Sequence, residues 1–100
     1  PGTVGGAIYG NAHWRQANIG DVVESVRVLT RDGGVRQIPA DRLEFDYDTS
    51  RLQQSGEILI WAAFRVRPGQ DPDALRATAR ASLAFRKQTQ PLAAPSAGCI

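Results

Sequence analysis

The sequence predicts an α+β fold, on three observations. Residues 22–29 and 57–66 are rich in β-branched and aromatic side chains and read as strands. Arg31, Asp32, Gly33 and Gly34 form a turn signal, after which residues 35–38 return as a short partner strand. Residues 72–89 are rich in Ala and Leu and follow a helix-start signal. The order strand, strand, turn, strand, helix describes an α+β segment.

Taken in order, the chain opens on a stretch with four glycines, Gly2, Gly5, Gly6 and Gly10. Glycine has no Cβ, so another group can approach such a backbone closely. Its N–H groups suit a phosphate or a flat cofactor ring. The stretch matches neither the P-loop nor the G-x-G-x-x-G pattern, and glycine clusters also serve simply as turns. Residues 13–20 are polar and irregular and read as a loop. His13 is the only histidine and Cys99 the only cysteine. A metal site needs three or four ligands, so none is expected within the chain. His13 then reads as an exposed loop residue, and Trp14 as a packing aromatic or a substrate platform.

Residues 39–45 suit one helical turn, and 46–55 read as a polar connection. Glu44, Asp46 and Asp48 cluster near Tyr47 and Arg51. Paired carboxylates perform acid–base chemistry when burial separates their pKa values; in a polar segment they are expected to be solvated. Residues 57–66 are the strongest strand. Ile58, Ile60, Ala62, Phe64 and Val66 share one face, while Leu59, Trp61, Ala63 and Arg65 share the other. Both faces are largely apolar, which predicts a strand covered on both sides.

Asp71 is a suitable N-cap for the helix, with Pro72 at its first position and Asp73 in its first turn. Leu75, Ala79, Ser82, Leu83 and Arg86 form a moderately apolar stripe. Pro91 and Pro95 end the helix and bracket an extended linker. Cys99 follows Ser96, Ala97 and Gly98, small neighbours that leave a thiol accessible. A thiol can donate a proton or act as a nucleophile, and a lone cysteine can equally be a small hydrophobe.

Bulk properties narrow the function classes. One hundred residues make one domain or a piece of one. The net charge of +2 and the absence of like-charge runs argue against a nucleic-acid surface. No apolar stretch approaches the ~20 residues of a membrane span, and no signal-peptide pattern is present. A single cysteine forms no internal disulfide. Cytoplasmic location is the expectation. With no methionine and an opening inside a glycine-rich segment, the chain reads as cut from something longer.

Four segments, in order, resemble the UDP-N-acetylenolpyruvoylglucosamine reductase (MurB, UDP-N-acetylmuramate dehydrogenase) family over nearly the whole chain. Pro1, Gly2, Thr3, Val4, Gly5, Gly6 and Ala7, followed by Asn11 and Ala12, resemble its flavin-contacting segment. Phe45, Tyr47 and Ser50 are similar to its F-x-Y-R-x-S segment. RKQTQP at 86–91 is similar to its helix end, and PSAGC at 95–99 to its approach to the proton donor.

The resemblance implies a vanillyl-alcohol-oxidase (PCMH) type FAD-binding domain. Residues 1–90 would form its C-terminal part, and 91–100 a linker and the truncated start of the substrate-binding domain. It implies FAD as cofactor, NADPH as reductant and a UDP-sugar as substrate, in peptidoglycan precursor synthesis. Pro1, Gly2, Thr3, Val4, Gly5, Gly6, Ala7 and Asn11 would contact the flavin. Cys99 stands where the family usually has serine and would protonate the enol, a role a thiol can fill.

The chain also departs from the family pattern. Asp48 occupies the place of the family's Arg, putting an anion where electrostatic catalysis calls for a cation; Arg51 is a nearby alternative. Residues 13–16 replace a glycine-containing loop. The family's G-x-G-S-N segment would precede Pro1, and its F-K-N-P segment and late glutamate would follow Ile100. The isolated segment is therefore expected to lack enough of the site for tight FAD binding or turnover. The alternatives are a non-catalytic remnant or interaction module of the same fold, and another FAD enzyme of that fold.

Overall fold

The computed structural model describes residues 2–91 and 93–95. The chain divides into two compact units, the first ending at Val66 and the second beginning at Arg67.

The first unit is built on an antiparallel sheet of order β4-β3-β5, with β3 (Val23–Leu29) between β4 (Val35–Pro39) and β5 (Ile58–Phe64). The turn signal at 31–34 joins β3 to β4 as expected. Gly33 takes a left-handed φ of 87°, and the Gly34 N–H donates to Asp32 Oδ1 at 3.0 Å. Ile8, Val23, Val26, Val28, Ile38, Leu43 and Leu52 form the core. Val23 and Val26 are three apart, a spacing that places side chains on opposite faces of a regular strand. The register shift against β5 between Val23 and Ser25 resolves this: Val23 pairs with Phe64 and Ser25 with Ala63, so β3 carries an extra residue there and the parity of those after it changes.

The expectation that residues 57–66 form a strand covered on both sides is not met. β5 lies at the edge of the three described strands, and of its residues only Leu59 and Ala62 pack against the core. Ile58 is 62% exposed, Ile60 55% and Trp61 48%.

The opening stretch contains a helix that the sequence reading did not include, α1 (Val4–Tyr9). A helix this short with two glycines is unfavourable by itself, each glycine costing about 1 kcal/mol relative to alanine. Thr3 offsets part of this by capping, its Oγ1 accepting from the Gly6 N–H at 3.0 Å. Burial of Ile8 in the core supplies the rest of the anchorage. Residues 13–20 are more ordered than the expected loop. β1 (His13–Trp14) pairs with β2 (Ala17–Asn18) across a turn in which Arg15 has a φ of 57°. A 3-10 turn, Ile19–Asp21, follows, with Asp21 accepting from the Asn18 N–H at 3.0 Å.

The helical turn expected within 39–45 is a 3-10 turn, Ala40–Arg42, that delivers Leu43 to the core. The polar connection at 46–55 holds a tight turn, 46–49, and a one-turn helix, α2 (Leu52–Ser55), ended by Gly56 at a φ of 71°.

The second unit holds α3 (Pro72–Thr89), capped as expected. Asp71 accepts from the Asp73 N–H at 3.0 Å, and Pro72 stands in the first turn, where its missing N–H costs nothing. None of its residues is buried, and Leu75, Leu83 and Phe85 are all more than two-fifths exposed. No helix among the described residues is long and apolar enough to cross a membrane.

Candidate functional site

The glycines of α1 border a hollow of about 320 Å³. Gly5, Gly6 and Tyr9 line one wall, and Leu52, Glu57, Ile58 and Leu59 the other. A Cβ on Gly5 would stand 3.6 Å from Leu59 Cδ2, an ordinary van der Waals contact that would take up part of the hollow. Of the other residues expected at a cofactor, Gly2 has no neighbour within 4 Å of where its Cβ would be, and Val4 is 57% exposed. Thr3 serves the helix as its cap. Ala7 is half-buried, and its N–H is bonded to Thr3 O at 3.0 Å.

The turn 46–49 lies beside the C-terminal end of α1. Asp46 and Thr49 exchange two backbone hydrogen bonds of 3.2 Å, and Asp48 takes a left-handed φ of 53°. Side chains tie this turn to α1. Asn11 Nδ2 donates to Asp46 O at 2.9 Å, and Ser50 Oγ donates to Tyr9 O at 2.8 Å. Gln53 Nε2 reaches both Tyr9 O, at 3.0 Å, and Asp48 O, at 2.9 Å. The two segments that carry the family resemblance within the first unit are thus joined.

Both departures from the family pattern meet on this turn. His13 Nδ1, from the altered loop, lies 3.3 Å from Asp48 Oδ1, the residue in the arginine's place. The Tyr47 ring, itself 77% exposed, sits 5.5 Å from the His13 ring at a tilt of 38°. Arg51, the alternative cation, is directed at Glu57 instead, 3.1 Å from Nε to Oε1. Glu44 and Asp46 line a second hollow of about 440 Å³ with Ser50 and Arg51, and both carboxylates belong to residues that are not buried, in keeping with solvated groups. No group of three His, Cys, Asp or Glu among the described residues could hold a metal ion.

Pro1 and Cys99 lie outside the described residues. The sequence reading missed three residues that organise the site: Gly20, Gln53 and Glu57. None carries a local signal, since each acts on residues brought to it by the fold. A Cβ on Gly20, for instance, would stand 2.7 Å from Phe45 Cγ.

No family model matches the chain. Among curated proteins, a UDP-N-acetylenolpyruvoylglucosamine reductase from Parasynechococcus marenigrum is 42% identical over 101 residues, covering 100% of this chain and 34% of that protein. A protein of the same name from Lactobacillus gasseri is 40% identical, again over 100% of this chain and 33% of its own length. Among solved structures, UDP-N-acetylenolpyruvylglucosamine reductase (MurB) from Thermus caldophilus superimposes with a TM-score of 0.71 at 32% identity. That match covers 88% of this chain and 32% of the other. The chain therefore spans about a third of the length of the relatives it matches. With an α+β fold and about 40% identity along its whole length, it belongs to the UDP-N-acetylenolpyruvoylglucosamine reductase family.

Proposed function

We propose that this chain is part of a flavoenzyme that reduces UDP-N-acetylenolpyruvoylglucosamine to UDP-N-acetylmuramate with NADPH, in peptidoglycan precursor synthesis. The carrying observation is its identity of about 40%, end to end, with reductases of that name. The hollow beside α1 supports FAD as the cofactor. One wall is helix backbone that glycine leaves bare, and the other presents Leu52, Ile58 and Leu59. That combination fits the face of a flat ring, and a side chain on Gly5 would narrow it.

When bound, FAD supplies the redox chemistry, taking hydride from NADPH and giving it to the enolpyruvyl double bond. This chain's residues hold and protonate. Gly2, Thr3, Val4, Gly5, Gly6 and Ala7, with Pro1 before them, line the flavin; Asn11 belongs to the same wall. Cys99 delivers the proton to the enol carbon, since carbon protonation needs a weak acid at hand. Residues 1–90 belong to the FAD-binding domain, of vanillyl-alcohol-oxidase type, and 91–100 lead into the substrate-binding domain. The protein acts in the cytoplasm, where UDP-sugars and NADPH are found.

The test uses the full-length protein. A yellow preparation with a flavin spectrum, oxidising NADPH only when the enolpyruvyl UDP-sugar is present, is the expected result. A colourless protein that turns over nothing would instead support a non-catalytic remnant of the same fold. A flavoprotein indifferent to that sugar would support an enzyme acting on another substrate.

A further inference from the structure

Asn11 is one of the buried polar residues of the first unit, with Ser25 and Ser50. It is 5% exposed and holds a left-handed φ of 47°, a conformation that asparagine tolerates better than most residues. Its carboxamide joins two segments remote in sequence. The Gly20 N–H donates to Oδ1 at 3.0 Å, and Nδ2 donates to Asp46 O at 2.9 Å. The partners fix its orientation, because a backbone N–H only donates and a carbonyl only accepts; a flipped amide would lose both bonds.

The surroundings leave no room for an alternative. A Cβ on Gly20 would lie 2.8 Å from Asn11 Oδ1. Asp46 O also accepts the Thr49 N–H that closes the turn, at 3.2 Å, so Nδ2 completes that carbonyl's second bond. Two residues before Asn11, Tyr9 O takes Ser50 Oγ and Gln53 Nε2. The bonds joining Asp46, Ser50 and Gln53 to Asn11 and Tyr9 draw the 46–53 segment toward the end of that helix.

We infer that Asn11 is a positioning residue: its side chain holds the 46–49 turn, with Tyr47 and Asp48, at a set distance from the glycine wall of α1. Both ends of that side chain are engaged by the fold, so only its main chain is offered to a ligand. The consequence for turnover rests on the reductase reading above; the positioning itself does not.

The variant Asn11→Asp separates the two bonds. It keeps the size, the backbone preference and the acceptor for the Gly20 N–H, but faces Asp46 O with an oxygen. Hydrogen exchange followed by NMR on the full-length protein should leave the Gly20 amide protected. The Thr49 amide should exchange about tenfold faster or more. Flavin content should be retained while kcat/KM for the enolpyruvyl UDP-sugar falls roughly tenfold to a hundredfold, as for a misplaced neighbour of the chemistry. Unchanged Thr49 protection would overturn the inference; a loosened turn with unchanged kinetics would overturn its consequence for turnover.

The wild-type protein offers a second measurement that needs no variant. The Asn11 side-chain amide protons should exchange slowly and give no intermolecular NOE when FAD or the UDP-sugar is added; such an NOE would mean direct contact and overturn the inference. If the wild-type protein carries no flavin and oxidises no NADPH, the reductase reading falls. The exchange and side-chain measurements then decide the role of Asn11 alone.

Discussion

Arg51 grips Glu57 through two nitrogens, with Nε 3.1 Å from Oε1 and Nη2 3.3 Å from Oε2. The Glu57 side chain is only 7% exposed, against 29% for Arg51. The planar guanidinium meets both carboxylate oxygens at once, which a lysine ammonium cannot do. Replacing Arg51 by Ala leaves a largely buried carboxylate without its partner. It should cost about 1.5–3 kcal/mol, read from the shift of a urea unfolding midpoint; Arg51→Lys should recover only part of it. The same pairing turns Arg51 away from Asp48, which meets His13 instead.

Gly20 is glycine for reasons of space. An added Cβ would lie 2.7 Å from Phe45 Cγ and 2.8 Å from Asn11 Oδ1, closer than such atoms approach. Gly20→Ala should destabilise by roughly 1–3 kcal/mol through overpacking. Gly2→Ala, where no atom lies within 4 Å, should leave the thermal midpoint unchanged. Equal midpoints for the two variants would remove Gly20 from the packing account.

Asp32 gives the β3–β4 turn a small acid sensitivity. The Thr30 hydroxyl, followed by the Gly34 amide, donates to its carboxylate and holds its pKa below the ordinary 3.8. A carboxyl with a lowered folded-state pKa adds stability above its unfolded pKa and loses it as pH falls through the folded value. The turn should therefore be firm at neutral pH and loosen only in acid. An NMR titration of Asp32 should show a midpoint below 3.8, and Thr30→Val should move it upward. An unmoved midpoint would show that the hydroxyl is not the cause.

For Cys99, the proposed role as proton donor separates the two half-reactions. Cys99→Ala in the full-length protein should leave flavin reduction by NADPH at its wild-type rate. Reduction of the enolpyruvyl UDP-sugar should slow by about a hundredfold or more, the usual contribution of a positioned acid. Stopped-flow traces with both half-reactions unchanged would end the assignment. Cys99→Ser should restore much of the lost rate.

What could be read from the sequence were features settled within a few residues. Asp71, Pro72 and Asp73 start α3 because a cap, a fixed φ and a favourable charge stand side by side. Residues 31–34 turn because Gly33 carries its left-handed φ cheaply. The family segments are legible for the same reason, being short runs of fixed spacing.

Tertiary structure decided the rest, wherever a residue's state depends on partners far along the chain. α1 has too few residues and too much glycine to form by propensity, and it exists because Ile8 is buried. The bulge that brings Val23 and Val26 to one core comes from pairing with β5, and much of β5 is exposed because only its Leu59 and Ala62 meet the core. Asn11 and Asp46 are 35 positions apart, yet one hydrogen bond joins the glycine wall to the turn. Local preferences act through neighbouring dihedrals and are written in the sequence. Burial, strand parity and long-range hydrogen bonds arise only when the chain closes on itself.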